Sequence, residues 1–162
     1  MSDNPSISVI VPVLNEEGSL EKFYREASDS LSEFSDWEII FIDDGSIDDS
    51  YKIIQEFADN DNRVTVIRFF KNFGKADALA EGFNHSTGDI VITIDADLQD
   101  DPAEIPRLIA KIQDGWDVVS GWKIDRKDPL SKRIPSKLFN LVTRIFTGIK
   151  IHDFNCGLKA YR

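Results

Sequence analysis

Apolar residues follow two alternating spacings along this chain, one typical of buried strands and the other of amphipathic helices. Short runs rich in β-branched and aromatic residues predict strands at residues 7–13, 37–42, 64–69, 90–94 and 118–119. The alternation of these strands with helical spacing predicts an α/β fold, with a mostly parallel sheet flanked by helices on both faces. The apolar positions at helical spacing are Leu20, Phe23, Tyr24, Ala27, Leu31 and Phe34, then Tyr51, Ile54, Phe57 and Ala58, and later Ile105, Leu108, Ile109 and Ile112; residues 76–84 are good helix formers.

Capping signals mark the starts of two of these helices. Ser46 and Asp49 predict the cap of the helix that follows the second strand. Further along, Asp101 has the place of an N-cap and Pro102 that of the first helical residue. Because Asp101 accounts for that cap, the acids at positions 95 and 97 remain without a structural role.

Polar clusters follow four of the predicted strands. They lie at residues 12–17, 43–46, 72–75 and 95–97. Because ligands of parallel α/β sheets bind beyond the carboxyl ends of the strands, we expect all four clusters at one edge. The chain has neither a Gly-rich dinucleotide fingerprint nor a phosphate loop ending in Gly-Lys-Ser/Thr, which argues against ordinary NAD and ATP folds.

The cluster with the clearest chemistry is Asp95, Ala96 and Asp97, directly after the apolar run at residues 90–94. It presents two hard oxygen ligands at a strand end, where Mg²⁺ or Mn²⁺ could bridge them to the phosphates of a substrate. The alternative is an acidic turn that only leads into the next helix.

Charge is distributed unevenly over the 162 residues, whose net charge is -10. Residues 1–121 hold nine Lys or Arg against 26 Asp or Glu, whereas residues 122–150 hold eight against two. The basic segment predicts contact with an anion or an anionic surface, or else the solvated face of a lysine-rich helix. The acidic remainder argues against nucleic-acid binding.

Compartment signals are few. Cys156 is the single cysteine, which fits a reducing compartment and excludes a cysteine-based zinc site. The chain has no apolar run long enough to cross a bilayer and no signal-peptide pattern at its start. We therefore expect it to be cytosolic or to face the cytosol.

In their order and spacing, these motifs resemble GT-A type glycosyltransferases, whose fold is Rossmann-like. The resemblance runs from residues 8–17 through 43–46, 72–75 and 95–99 to 153–157. Within that group, the sequence Asp-Ala-Asp-Leu-Gln ahead of an acid-Pro helix start is more characteristic of polyprenyl-phosphate glycosyltransferases, the kind that includes dolichol-phosphate mannose synthases.

The resemblance implies a nucleotide pocket formed by the first two clusters. Pro12, Leu14 and Glu16 line this pocket by the resemblance. Asp43 and Asp44 contact the base and the ribose.

The resemblance also implies a metal and diphosphate site. Asp95 faces the nucleotide-sugar, and Asp97 with Gln99 completes a site for Mg²⁺ or Mn²⁺ in which Asp95 is a further ligand. Such an ion stabilises the departing diphosphate, so Asp95 and Asp97 count as catalytic candidates. Lys75 adds a point charge to the same diphosphate.

The basic segment is the predicted acceptor site. The second pKa of a phosphomonoester is about 6, so a lipid phosphate needs holding rather than deprotonation. Lys123, Arg126, Lys132 and Arg133 are suited to that by type, and we favour Arg126 and Arg133 as the catalytic pair. For a saccharide acceptor, Asp153 is the candidate base.

A helix is predicted at residues 138–149, where apolar residues recur at helical spacing among basic ones. An interfacial helix beside anionic lipid and a core helix with a basic solvent face both fit this pattern. The apolar residues are Leu138, Leu141, Val142, Ile145, Phe146 and Ile149.

Taken together, the sequence predicts an inverting glycosyltransferase that moves a hexose from a UDP- or GDP-linked sugar to polyprenyl or dolichyl phosphate at the cytoplasmic face of a membrane. Residues 1–121 form the donor-binding core, and residues 122–162 begin the acceptor region of the same domain. We expect a fragment of a longer membrane-associated enzyme, with homo-oligomers possible through the missing C-terminal region.

Two other functions fit parts of the pattern. One is a glycosyltransferase that acts on a saccharide acceptor in cell-wall or surface polysaccharide synthesis. The other is a phospho-signalling receiver, which also groups acids at strand ends but places an acceptor Asp after its third strand, where this chain has residues 71–75.

Overall fold

A computed structural model of the protein describes residues 4–122 and 156–162. The α-helices of these residues are α1 (Leu20–Leu31), α2 (Ser50–Asn60), α3 (Lys75–His85) and α4 (Ile105–Gln113), and a 3₁₀ turn at Pro102–Glu104 leads into α4. The strands of the described residues are β1 (Ile7–Val13), β2 (Trp37–Asp43), β3 (Val64–Arg68), β4 (Ile90–Thr93), β5 (Val118–Ser120) and β6 (Lys159–Tyr161).

The six strands form one sheet in the order β3-β2-β1-β4-β6-β5. Strand β1 pairs in parallel with β2 and β4, and β2 pairs in parallel with β3. The α/β architecture predicted from the hydrophobic pattern is confirmed. All five predicted strands are present, with ends that differ by one residue at most.

Strand β6 is the part of the sheet that the sequence did not predict. It lies between β4 and β5 and is antiparallel to both, with Ala160 opposite Ile92 and Val119. Strand β5 is equally short but begins with two valines, whereas β6 has the sequence Lys-Ala-Tyr and so lacks the β-branched run that predicts a strand. Its insertion brings residues 156–158 against the carboxyl end of β4.

Helices cover both faces of the sheet. The larger core packs α1, α2 and α4 against one face and includes Phe23, Ile54 and Ile109. The smaller core packs Ala78 of α3 against Ile10 and Ile40 on the other face. Since both faces are covered, the strands are apolar on both sides, which explains their continuous apolar runs.

One of the two predicted caps is wrong. Helix α2 begins at Ser50, and the Ser46 hydroxyl accepts a hydrogen bond from the Asn15 N–H at 3.0 Å instead of capping the helix. The Asp101 cap is confirmed, because its carboxylate accepts from the Ala103 N–H at 2.9 Å. The loop after β2 is tied to the loop after β1, a tertiary contact that local spacing cannot reveal.

Several predicted features lie outside the described residues. They are the basic loop with Lys123, Arg126, Lys132 and Arg133, the helix at residues 138–149, and Asp153. Within residues 4–122 and 156–162, no helix has both the length and the apolar character needed to cross a membrane.

Candidate active site

The carboxyl edge of the sheet carries a pocket of about 310 Å³. Its walls come from the loops that follow β1, β2 and β4 and from the first residue of α3. The structure therefore brings the four polar clusters together, as the parallel strands require. The lining residues are Pro12, Val13, Leu14, Glu16, Asp44, Lys75, Asp95, Ala96 and Asp97.

An ion pair between Lys75 and Asp95 crosses this pocket. The Lys75 ammonium lies 2.5 Å from one carboxylate oxygen of Asp95 and 2.7 Å from the other. The Lys75 side chain is 51% exposed and that of Asp95 is 27% exposed. Both oxygens of Asp95 therefore face a cation that solvent can also reach.

Asp44 fixes the start of α3 and so the base of Lys75. Its two carboxylate oxygens accept hydrogen bonds from the backbone N–H groups of Phe73, at 2.7 Å, and Gly74, at 2.9 Å. Only 3% of Asp44 is exposed. Asp44, one of the two residues that the resemblance places at the base and the ribose, thus has a structural role here as well as a place in the pocket wall.

Asp43 lies behind the pocket and does not line it. It is fully buried, and one oxygen accepts a hydrogen bond from the Ser46 N–H at 3.0 Å. The other oxygen lies 3.3 Å from the Arg68 guanidinium. Next to it, Gly45 has a φ of +75° and backs onto the Lys71 backbone, where a Cβ would come within 2.5 Å. Asp43 and Gly45 together shape the loop that presents Asp44.

Asp97 lines the pocket from a tight turn. One of its oxygens accepts a hydrogen bond from the Gln99 N–H at 3.0 Å, and Leu98 between them has a positive φ of 59°. Gln99 itself lines a neighbouring pocket together with Asp100 and is not among the residues that line this one. Among the predicted metal ligands, the structure brings Asp95 and Asp97 together and sets Gln99 apart.

Glu16 stands among other acids at the pocket mouth. Burial is the largest influence and raises the pKa of its carboxyl, and the negative charges of Asp97 and Asp95 act in the same direction. A hydrogen bond from the Ser19 hydroxyl opposes the rise. Partial burial, together with the neighbouring acids, therefore disfavours the ionised form of Glu16.

Two residues that the sequence did not single out place Glu16. The Ser50 hydroxyl accepts a hydrogen bond from the Glu16 N–H at 2.8 Å. Asn15 has a φ of +56°, a conformation that Asn tolerates better than most residues, and its side chain accepts from the Ile47 N–H at 2.9 Å. An Asn two residues after the end of a buried strand was the available signal for such a turn.

Gly157 forms the back of the site and was also missed as a site residue. A Cβ at this position would lie 2.4 Å from an oxygen of Asp95. The Thr93 hydroxyl donates to the Gly157 carbonyl at 2.9 Å and holds the segment against the end of β4. A residue without a side chain is needed at position 157 because a Cβ there would overlap the Asp95 carboxylate.

The charge of the pocket suits a cation together with an anionic ligand. Glu16, Asp44, Asp95 and Asp97 contribute four carboxylates, and Lys75 is the cation among the described lining residues. Within the described residues, no three His, Cys, Asp or Glu side chains form a complete metal cage. Mg²⁺ commonly uses one or two carboxylates plus substrate phosphates, so Asp95 and Asp97 fit such an ion.

Sequence comparison places the chain within a large group of enzymes. The family model described as Glycosyl transferase family 2 matches residues 8–162. An undecaprenyl-phosphate 4-deoxy-4-formamido-L-arabinose transferase from Pseudomonas aeruginosa is 42% identical over 158 residues, which cover 96% of this chain and 47% of the relative. The corresponding transferase from Shewanella sediminis is 41% identical over 160 residues, covering 96% and 48%. The chain thus spans about half the length of the curated relatives it matches.

Solved structures share the fold. A mannosyltransferase from Pyrobaculum calidifontis, in complex with GDP-Man and Mn²⁺, has a TM-score of 0.67 at 24% identity and covers 99% of this chain and 45% of its own. Glucosyl-3-phosphoglycerate synthase from Mycobacterium tuberculosis, in complex with phosphoglyceric acid, has a TM-score of 0.75 at 24% identity, covering 97% and 56%. The GT-A fold implied by the motifs is confirmed.

Proposed function

The chain belongs to glycosyl transferase family 2, and from that membership we propose that it transfers a sugar from a nucleotide-sugar to a polyprenyl phosphate. The observation that carries the proposal is the pocket at the carboxyl edge, in a chain 42% identical to transferases named for undecaprenyl phosphate. The segments after β1, β2 and β4 and the first residue of α3 supply its lining, with carboxylates and a lysine suited to a metal-bound diphosphate.

The donor is proposed to lie along these loops. Pro12, Leu14 and Glu16 form the wall that receives the nucleoside, and Asp44 closes it. Asp95 and Asp97 are the residues that would hold Mg²⁺ or Mn²⁺. A divalent ion bound there neutralises the negative charge that grows on the departing nucleoside diphosphate.

The acceptor is proposed to react through its phosphate. A phosphate oxygen forms a new bond to the anomeric carbon from the side opposite the diphosphate. The bond from that carbon to the diphosphate breaks, and its electron pair leaves with the nucleoside diphosphate, so the sugar configuration is inverted. The phosphate is already ionised near neutral pH and needs no general base. Arg126 and Arg133 are proposed to hold it, at the cytoplasmic face of a membrane.

The test is a product assay with the full-length protein. It is supplied with Mg²⁺ or Mn²⁺, a panel of UDP- and GDP-linked sugars, and undecaprenyl or dolichyl phosphate in vesicles. We expect a lipid-linked sugar from one of these donors, which also identifies the base and the sugar. Transfer to a soluble saccharide, with none to the lipid phosphate, would overturn the proposal in favour of a saccharide acceptor.

A further inference from the structure

We propose that Lys75 is an exchangeable counter-ion of the donor pocket. In the structure it neutralises Asp95; when a divalent cation and a nucleoside diphosphate bind, Lys75 gives up Asp95 and pairs with the diphosphate. This inference rests on the proposed function, because it assumes a donor that carries a diphosphate.

The geometry of the pair supports competition with a metal ion. The Lys75 ammonium contacts both oxygens of Asp95, at 2.5 and 2.7 Å. These are the same oxygen atoms that a metal ion would coordinate. A divalent ion bound at the same carboxylate would lie close to the ammonium and repel it, so the two cations compete for Asp95. Lys75 therefore weakens the binding of a divalent cation at Asp95 when no nucleotide is bound.

The two partners differ in how firmly they are held. Asp95 is backed by Gly157, whose chain is fixed by the Thr93 hydroxyl. The backbone of Lys75 is placed by the two hydrogen bonds that Asp44 accepts from the N–H groups of the two preceding residues, and its ammonium is held by the ion pair itself. Its flexible four-carbon side chain is half exposed, so its ammonium can move while Asp95 remains in place.

Opposite effects on two ligands distinguish this role from a purely structural one. Without nucleotide, loss of the Lys75 charge removes a competitor and tightens Mn²⁺ binding. With Mn²⁺ present, loss of the same charge removes a partner of the diphosphate and weakens nucleotide binding. A structural lysine would affect both in the same direction, because its loss would disturb the site.

The first experiment measures Mn²⁺ binding to the full chain by electron paramagnetic resonance of the free ion. Partly exposed ion pairs contribute modestly, so we expect Lys75→Met to lower the Kd for Mn²⁺ by about two- to fivefold. Lys75→Arg keeps the charge and is expected to stay near the wild-type value. The matched control is Lys111→Met, which removes a lysine from an exposed Lys–Asp pair of 2.9 Å on α4. Unchanged or weaker Mn²⁺ binding in Lys75→Met would overturn the proposal.

The second experiment measures UDP and GDP binding by calorimetry at saturating Mn²⁺. For the nucleotide that binds, Lys75→Met is expected to raise the Kd about tenfold. If the wild-type chain binds neither nucleotide with Mn²⁺, the proposed function fails, whereas the Mn²⁺ titration still decides whether Lys75 competes at Asp95.

A third measurement uses the unmodified chain and so does not depend on the folding of a variant. The rate at which an acylating reagent modifies Lys75 is followed by mass spectrometry. Mn²⁺ alone should raise this rate by freeing the amine from Asp95, and added nucleoside diphosphate should lower it again. A rate that Mn²⁺ leaves unchanged contradicts the exchange.

Discussion

Two carboxylates at opposite edges of the same sheet, Asp61 and Glu16, have opposite electrostatic surroundings. At the amino edge, Asp61 accepts hydrogen bonds from the Arg63 guanidinium at 2.9 and 2.8 Å and from the Tyr24 hydroxyl at 2.8 Å. At the carboxyl edge, Glu16 stands beside Asp95 and Asp97. The first arrangement holds the pKa of Asp61 well below its usual value, chiefly through Arg63, whereas the second raises the pKa of Glu16, chiefly through burial.

A second carboxylate at the amino edge, that of Glu38, is also surrounded by hydrogen-bond donors. One oxygen of Glu38 accepts from the Ser8 hydroxyl at 2.6 Å and from the Thr87 hydroxyl and N–H at 2.8 and 3.0 Å. These bonds join the starts of β1 and β2 to the turn before β4. Carboxylates surrounded by donors stabilise the fold. The partly buried Glu16 carboxylate, near Asp95 and Asp97, instead opposes folding when it is ionised, as expected where function conflicts with local stability.

The largest expected effect is at Asp97. Asp97→Asn keeps an oxygen that can accept from the Gln99 N–H, so the turn is preserved while the negative charge is lost. We expect sugar transfer by the full-length protein to fall on the order of 100-fold with little change in melting temperature. Initial rates at saturating metal and a thermal melt measure the two quantities.

The control for this prediction lies at the other edge. Asp36 is exposed just before β2, and Asp36→Asn should leave the rate unchanged. An equal loss in both variants would mean that net charge, rather than the pocket carboxylate, limits the reaction.

Gly157→Ala should have the next largest effect. The new methyl group would lie 2.4 Å from an Asp95 oxygen, so that carboxylate must move. Displacement of a positioned group by less than 1 Å is expected to lower the transfer rate about tenfold. Gly18→Ala is the matched control, because a Cβ there meets nothing within 4 Å. Wild-type activity of Gly157→Ala, measured in the same assay, would show that the position of Asp95 is not critical.

At the amino edge, Asp61→Asn should reduce stability and leave nucleotide binding intact. Its side chain is 13% exposed and that of Arg63 is 50% exposed, so we expect a loss of about 1–2 kcal/mol in the free energy of unfolding at pH 7. Urea unfolding measures the loss, and nucleotide calorimetry provides the comparison. Weakened nucleotide binding in a folded Asp61→Asn chain would contradict the purely structural role assigned to Asp61.

The same variant predicts a pH dependence. The pKa of Asp61 is lowered on folding, so its contribution is fully present above the usual value of 3.8 and is lost as the pH falls below it. The stability difference between wild type and Asp61→Asn should therefore be constant from pH 5 to 7 and shrink on further acidification. A difference that grows in acid would show that folding raises the pKa of Asp61 rather than lowering it.

The smallest effect is expected at Glu16. Its pKa is raised on folding, so the ionised carboxylate destabilises the fold as the pH rises above the usual value of 4.5. Glu16→Gln should raise the free energy of unfolding at pH 7 by less than about 1 kcal/mol, and the gain should vanish below pH 4.5. Thermal melts across this pH range measure it, with the exposed Glu33→Gln as control. A destabilised Glu16→Gln at pH 7 would show that Glu16 is held mainly by favourable contacts.

Local patterns in the sequence were enough for much of the fold. The apolar runs predicted five strands because strands in a sheet that is covered on both faces are largely apolar on both sides, as residues 90–92 are. Asp101 was recognisable as a cap because capping depends on residues within one turn. Parallel strands also have their carboxyl ends at one edge, so the meeting of Glu16, Asp44, Lys75 and Asp97 followed from the alternation alone.

Tertiary contacts decided the rest. Strand β6 pairs with residues more than 60 positions earlier, and the same insertion sets Gly157 against Asp95. The Ser46 hydroxyl accepts a hydrogen bond from the Asn15 N–H and does not cap the helix that follows it. Asp43 is buried beside Arg68 and does not line the pocket. The sequence by itself determined which chemical groups reach the carboxyl edge, because strand direction is a property of the chain pattern. Only the tertiary structure decided which of them pair, because an ion pair such as Lys75–Asp95 depends on distances between loops that no local spacing encodes.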